Sequence, residues 1–225
     1  MVTPVATLLA GAAFGLALAA PPGPMNAVIA EESVVRGWLA GFTAGLGAMT
    51  ADAVFCAATL AGVVTIVERA PALRGAMVGV GGLVMLYFAY GAATEAAETF
   101  TGDGVDVEGK GFRKAFVLAL TNPYQILFWL TAGVGLLRAG EMDLLSHAPY
   151  VGDRLAGVLV VSTGSPVLLV GFFGGIALWI AGFPGALVAA DRHVDEFASA
   201  VAAASAAVLA GFGLLFLYDA ATTLL

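Results

Sequence analysis

Asp52 stands in the middle of an apolar stretch running from Trp38 to Val67, about fifteen residues from either end, with no lysine or arginine among its helical neighbours. An acid at such a depth in hydrocarbon costs on the order of 3 kcal/mol. That residue type in that setting suits two tasks, carrying a proton or pairing with an ammonium group. The plainer alternative is a structural acid bonded to a hydroxyl such as Thr50 or to the backbone of another helix.

A second group of residues acts through the backbone. Pro21-Pro22-Gly23-Pro24 lies inside the first apolar stretch, where each proline removes an N–H donor and clashes with the preceding turn, so one straight helix cannot form. Freed backbone groups are tolerated at membrane depth only when they are buried in protein or line a cavity. A half-helix restarting near Met25 would aim its free N–H groups and positive dipole end at that cavity, a setting for a carboxylate. Asn122-Pro123 interrupts a later stretch in the same way and frees the carbonyls near Ala119 and Leu120. Asn26 and Asn122 are neutral amides that can bond a zwitterion or satisfy the freed backbone. The predicted site for a substrate or ion therefore comprises Pro22, Gly23, Pro24, Asn26, Asp52, Asn122 and Pro123. No metal site and no cofactor is expected.

The remaining reactive side chains suit structural or solvated roles. Asp219 lies close to the C-terminal end of its stretch and is expected to reach the interface. His147 and His193 fall in connections among acids. Cys56, the single cysteine, excludes an intramolecular disulfide relay and reads as a small apolar filler.

The elements that must position these residues are membrane helices. Of 225 residues, 60% are hydrophobic and 11% charged, with a mean hydropathy of +0.97, too little polar surface to coat a soluble globule. Six stretches are long enough to span a bilayer: Val5 to Ala30, Trp38 to Val67, Ala72 to Ala93, Ala115 to Leu137, Leu155 to Phe183 and Phe197 to Ala221. The expected fold is all-α and multi-pass, with six transmembrane helices in the cytoplasmic membrane. Ala17-Leu18-Ala19 imitates a signal-peptidase site, but no basic residue precedes Arg36, so the first stretch is kept as a span.

An internal repeat organises the spans. Phe14-Gly-Leu16-Ala17-Leu18-Ala-Ala-Pro21 matches Phe116-Val-Leu118-Ala119-Leu120-Thr-Asn-Pro123 in five of eight letters at an offset of 102. Weaker echoes link Tyr90-Gly-Ala92-Ala93-Thr94 with Tyr218-Asp-Ala220-Ala221-Thr222, and Gly41-Phe42 with Gly171-Phe172. Three spans per half is an odd number, so the halves must cross in opposite directions as inverted repeats. The expectation is a single membrane domain over 1–225, with repeat one about 1–95, an acidic connection about 95–112 and repeat two about 113–225.

Net charge is −7 and the chain has two lysines. The carboxylates crowd the later connections, including Glu95, Glu98, Asp103, Asp106 and Glu108, then Glu141, Asp143 and Asp153, then Asp191, Asp195 and Glu196. This composition excludes nucleic acid as a partner and suits a protein facing concentrated salt. Basic residues are nearly balanced between the two sides, so orientation is left open.

The residues Pro22-Gly23-Pro24, Arg36-Gly37, Ala40-Gly41 and Gly47-Ala-Met-Thr-Ala51-Asp52 resemble the N-terminal signature of the LysE and homoserine/threonine exporter family. Phe112-Arg113-Lys114-Ala115-Phe116, Thr121-Asn122-Pro123 and Ile126-Leu127-Phe128-Trp129 are similar to its fourth-span motif. The resemblance implies export of amino acids or related small solutes through the bilayer, driven by an ion gradient, with proton or sodium as coupling ion. Ala51 replaces the usual glycine before the acid and Tyr124 the usual lysine after Asn-Pro, so no substrate preference is carried over. The competing reading within the wider superfamily is export of divalent or heavy-metal cations, for which the spans offer only Asp52, Cys56 and Asp219 as ligands. An intramembrane protease would need a nucleophile with a base or paired aspartates, and the spans provide neither. Transport direction and self-association into a homo-oligomer stay open.

Overall fold

The computed structural model describes residues 3–62, 71–101, 110–143, 160–191 and 197–224. In chain order these form α1 (Pro4–Ala19), α2 (Pro24–Arg36), α3 (Trp38–Leu60), α4 (Pro71–Thr101), α5 (Gly111–Thr121) and α6 (Pro123–Phe128). A π-helical turn (Trp129–Gly133) follows, then α7 (Val134–Leu137), β1 (Gly140–Asp143), β2 (Val160–Thr163), α8 (Pro166–Asp191) and α9 (Phe197–Leu224). The chain divides into two compact units, residues 1–20 with 131–179 and residues 21–130 with 180–225.

In the first unit, α1 starts on a sequence signal. Thr3 accepts a hydrogen bond from the Ala6 amide at 3.1 Å and Pro4 takes the first helical position, where its missing N–H is no loss. β1 and β2 pair antiparallel with Gly140 opposite Thr163 and Asp143 opposite Val160. The fifth span was expected to begin near Leu155, yet residues 160–163 are a strand and α8 begins only at Pro166. The local chemistry explains the difference: Val160, Val161 and Thr163 are β-branched and favour extended backbone. Gly164 then turns the chain at φ 69°, and Ser165 caps the new helix by accepting from the Leu168 amide at 3.2 Å.

The helices of this unit meet backbone to backbone. Gly11 and Gly15 on α1 lie against the carbonyls of Leu168 and Phe172, while Gly171 and Gly175 on α8 lie against those of Leu8 and Ala12. Two small-xxx-small faces interlock, the means by which helices associate in lipid when no hydrophobic driving force separates them from solvent.

In the second unit, α2 and α3 are joined by Gly37 alone, whose φ of 88° is open to glycine and strained for other residues. α3 packs back on α2, with Gly41 against Ser33, and on α5, with Gly47 against the Phe112 carbonyl. α4 pairs with α9, where Gly82 and Gly213 face each other. The Ser205 hydroxyl of α9 donates to the Ala27 carbonyl of α2 at 2.9 Å. Trp38 donates to the Ala181 carbonyl at 2.9 Å, within the turn of α8 that Pro184 disturbs.

Among the described residues, three helices are long and apolar enough to cross a membrane: Trp38–Leu60, Pro166–Asp191 and the Ala200–Thr223 part of α9. Counting the interrupted pairs α1 with α2 and α5 with the segment Tyr124–Leu137 as broken spans brings the number to five. Where a third span was expected, α4 carries the shorter apolar run Val78–Gly91. The described parts of the chain are those of an all-α membrane protein with a small two-stranded sheet.

The glycine faces give a direct test. Gly171→Ala should destabilise the protein by about 1–3 kcal/mol, the usual effect of forcing a methyl into a filled contact, whereas Gly174→Ala, where an added methyl meets nothing within 4 Å, should be neutral. Thermal unfolding of the two variants in detergent micelles distinguishes them.

Candidate functional site

The site is built on a patch of small residues. Ala48 and Ala51 in the middle of α3 form a buried cluster with Ala119 of α5, and Met25, Phe116 and Leu120 pack onto it. Met25 sits just after the first helix break and Leu120 just before the second. The restart of α2 and the end of α5 thus meet the helix that carries Asp52.

Asp52 is buried, and its partner comes from across the second break. The Trp129 indole donates to Asp52 Oδ1 at 2.8 Å, and the Gln125 side chain also hydrogen-bonds this carboxylate. Gln125 lies on α6 and is buried. Trp129 is fully buried and opens the π-helical turn, an irregularity found frequently at functional sites. Thr50, the hydroxyl considered as a partner, instead donates to the Leu46 carbonyl at 2.7 Å. Cys56, one turn further along α3, is buried.

The two asparagines hold the breaks. Asn26 Nδ2 donates to the Pro21 carbonyl at 2.8 Å, across the interruption between α1 and α2. Asn122 Oδ1 accepts from the Tyr124 amide at 3.0 Å and so caps α6, with Pro123 at its first position. Of the two roles open to these amides, the bonds described here serve the backbone. Pro21 and Pro22 are exposed and Pro24 is buried. Gly23 is fully extended, at φ −179° and ψ −177°, a conformation any residue adopts. An added methyl there meets nothing within 4 Å, so neither backbone nor packing demands a glycine.

Asp219 is exposed, and its carbonyl accepts from the hydroxyls of Thr222 and Thr223. His147 and His193 lie outside the described residues.

A second set of charges escaped the sequence reading. Glu31 and Glu32, 0% and 2% exposed, are continuous with α2, although the apolar pattern ends at Ala30 and leaves them in a connection. Lys114 Nζ on α5 bonds Glu31 Oε1 at 2.6 Å, and Arg36 reaches Glu32 at 3.3 Å. Lys114 also lies 5.6 Å from the Phe88 ring centroid. Gly111 leaves room for the Glu32 carboxylate, because a methyl there would come within 3.0 Å of it. The signal available was the four-residue spacing of Glu32 and Arg36, which is an ion-pair spacing on a helix. The pairing of Glu31 with Lys114 spans 83 positions and leaves no local trace.

The model of the LysE type translocator family matches residues 16–220. The chain belongs to the LysE type translocator family. Its members are multi-pass membrane proteins, as the apolar helices of this chain require. The chain is 32% identical over 129 residues to a leucine efflux protein of Salmonella typhimurium (strain LT2), covering 56% of this chain and 59% of that protein. A Bacillus subtilis (strain 168) protein bearing the name of an amino acid efflux protein is 31% identical over 119 residues, 52% of this chain and 56% of its own length. The matched region is thus under two thirds of either curated relative. No solved structure matches this chain.

Two stability measurements probe the site. Asp52→Ala strands the buried Trp129 N–H and should destabilise by about 1–3 kcal/mol, while Asp52→Asn keeps an acceptor oxygen and should cost less than about 1 kcal/mol. Lys114→Met removes the cation bonded to the buried Glu31 carboxylate and should cost about 3–5 kcal/mol. Adding Glu31→Gln should recover most of that loss. Detergent-phase melting of the four variants gives all the values.

Proposed function

We propose that this translocator is a secondary active transporter that exports amino acids or related small solutes, coupled to an ion gradient carried by protons or sodium. The whole chain acts as one transporter domain rather than an enzyme. The observation that carries this reading is a buried carboxylate held by Trp129 and Gln125, beside two interrupted helices whose ends pack on the same alanine patch. An acid at this depth in a span is by default a functional candidate, and interrupted helices are tolerated where backbone is buried in protein or lines a cavity. The names of the curated relatives, leucine efflux and amino acid efflux, support an amino acid as cargo.

The substrate carboxylate would meet the start of α2, where Gly23 leaves open space and supplies no side-chain cap. Its apolar side chain would rest towards Met25 and Leu120. Asp52 would take the ammonium group or the coupling proton. Asn26 and Asn122 would keep the two breaks at a fixed geometry through the hydrogen bonds already described, and Pro22, Pro24 and Pro123 through their locked backbone angle. The parallel between Phe14–Pro21 and Phe116–Pro123, each a helix ending before a proline, supports six spans arranged as inverted repeats, with alternating access by motion between them.

The test is counterflow in proteoliposomes with radiolabelled leucine, other amino acids and divalent cations. Wild type should exchange amino acids, and Asp52→Asn, folded by the measurement above, should fall below about a tenth of that rate. Cation flux without amino-acid exchange would overturn the reading. Full exchange in the variant would remove Asp52 from the mechanism.

A further inference from the structure

Separate from the Asp52 site, the second unit holds a cavity of about 930 Å³ whose lining includes Arg36, Lys110, Arg113 and Lys114 against one acid, Glu32. Two of these cations are already balanced, Arg36 by Glu32 at 3.3 Å and Lys114 by Glu31 at 2.6 Å. Lys110 and Arg113 are exposed and have no acid partner among the described residues.

Their position makes the imbalance sharper. Lys110, Arg113 and Lys114 all stand at the N-terminal end of α5, which has no side-chain cap and no acid in its first turn. A helix N-terminus carries positive potential and disfavours cations. The Glu32 carboxylate stands against Gly111 at this helix start, but Arg36 already balances it, so it does not offset Lys110 and Arg113. Cationic side chains therefore converge on one opening, and an anion there would offset the two that have no acid beside them.

The opposite wall says what kind of anion. It is formed by α4, where Leu83, Tyr87 and Tyr90 line the cavity and are 60%, 73% and 73% exposed. Tyrosines exposed on an apolar helix belong at the level of lipid headgroups. A free inorganic anion would leave this wall uncovered and most of the volume unfilled.

We propose that the cavity binds an anionic phospholipid, with its phosphate at Lys110 and Arg113 and its acyl chain along Leu83 and Tyr87. Glu32 does not oppose this, because Arg36 neutralises it. The inference is independent of the export reading, since it concerns a different set of side chains and no transport step.

The experiment measures binding of phosphatidylglycerol, phosphatidylcholine and inorganic phosphate to the full chain in neutral detergent, by native mass spectrometry and thermal shift. Phosphatidylglycerol should bind in preference to phosphatidylcholine, and rising salt should erode the preference. The Lys110→Gln/Arg113→Gln pair should weaken phosphatidylglycerol binding about 30-fold, from the contribution of two basic residues near a lipid surface. Leu83→Glu, an exposed change on the other wall, should weaken it as well, so the outcome does not hang on one variant. Equal binding of the two lipids, or undiminished phosphatidylglycerol binding in both variants, overturns the proposal. Inorganic phosphate stabilising the protein as well as phosphatidylglycerol does would make the site one for a soluble anion and overturn it too.

Discussion

Hydrocarbon offers a backbone N–H or C=O no partner, and the rest of this structure follows from how the chain meets that constraint. Where it is met by unbroken helix, the helices are free to come close, and glycines let them do so until carbonyl oxygens touch the neighbouring backbone. Where proline prevents it, a side chain steps in: Asn26 bonds the Pro21 carbonyl and Asn122 the Tyr124 amide. The interruptions are thus finished structures, each with its own local bond, and they leave the start of α2 and the end of α5 packed on the small face of α3.

Charge in the interior obeys the same economy. Asp52 is held by an indole and an amide, donors that bring no compensating charge, whereas Glu31 and Glu32 are each matched by a cation. The contrast separates two functions for buried acids. A paired carboxylate fixes the packing of α2 against α5, and removing its partner exposes the full desolvation penalty. A carboxylate held only by neutral donors can gain and lose a positive partner without breaking an ion pair.

Features carried by adjacent residues were legible in the sequence. Proline positions located both breaks, and the depth of Asp52 in an apolar stretch marked it. What depended on distant partners was not legible. Trp129 reaches Asp52 across 77 positions, and the motif that contains it gave no reason to expect that bond. The meshing of Gly11 and Gly15 with Gly171 and Gly175 joins residues some 160 positions apart and left no local trace. The strand at residues 160–163 was hidden inside an apolar run, because hydrophobicity alone does not separate a buried strand from the start of a helix. Glu31 and Glu32 were passed over because two adjacent acids look like the end of a span when their counter-charges are out of view.

The bond between Trp129 and Asp52 has an optical consequence. An indole shifts its emission when a charge beside its N–H appears or vanishes, so the carboxylate carries its own chromophore. The chain has three tryptophans, and replacing Trp38 and Trp179 with phenylalanine would leave a single emitter 2.8 Å from the acid. The colour of that light would then follow the occupancy of the acid in real time, without a label.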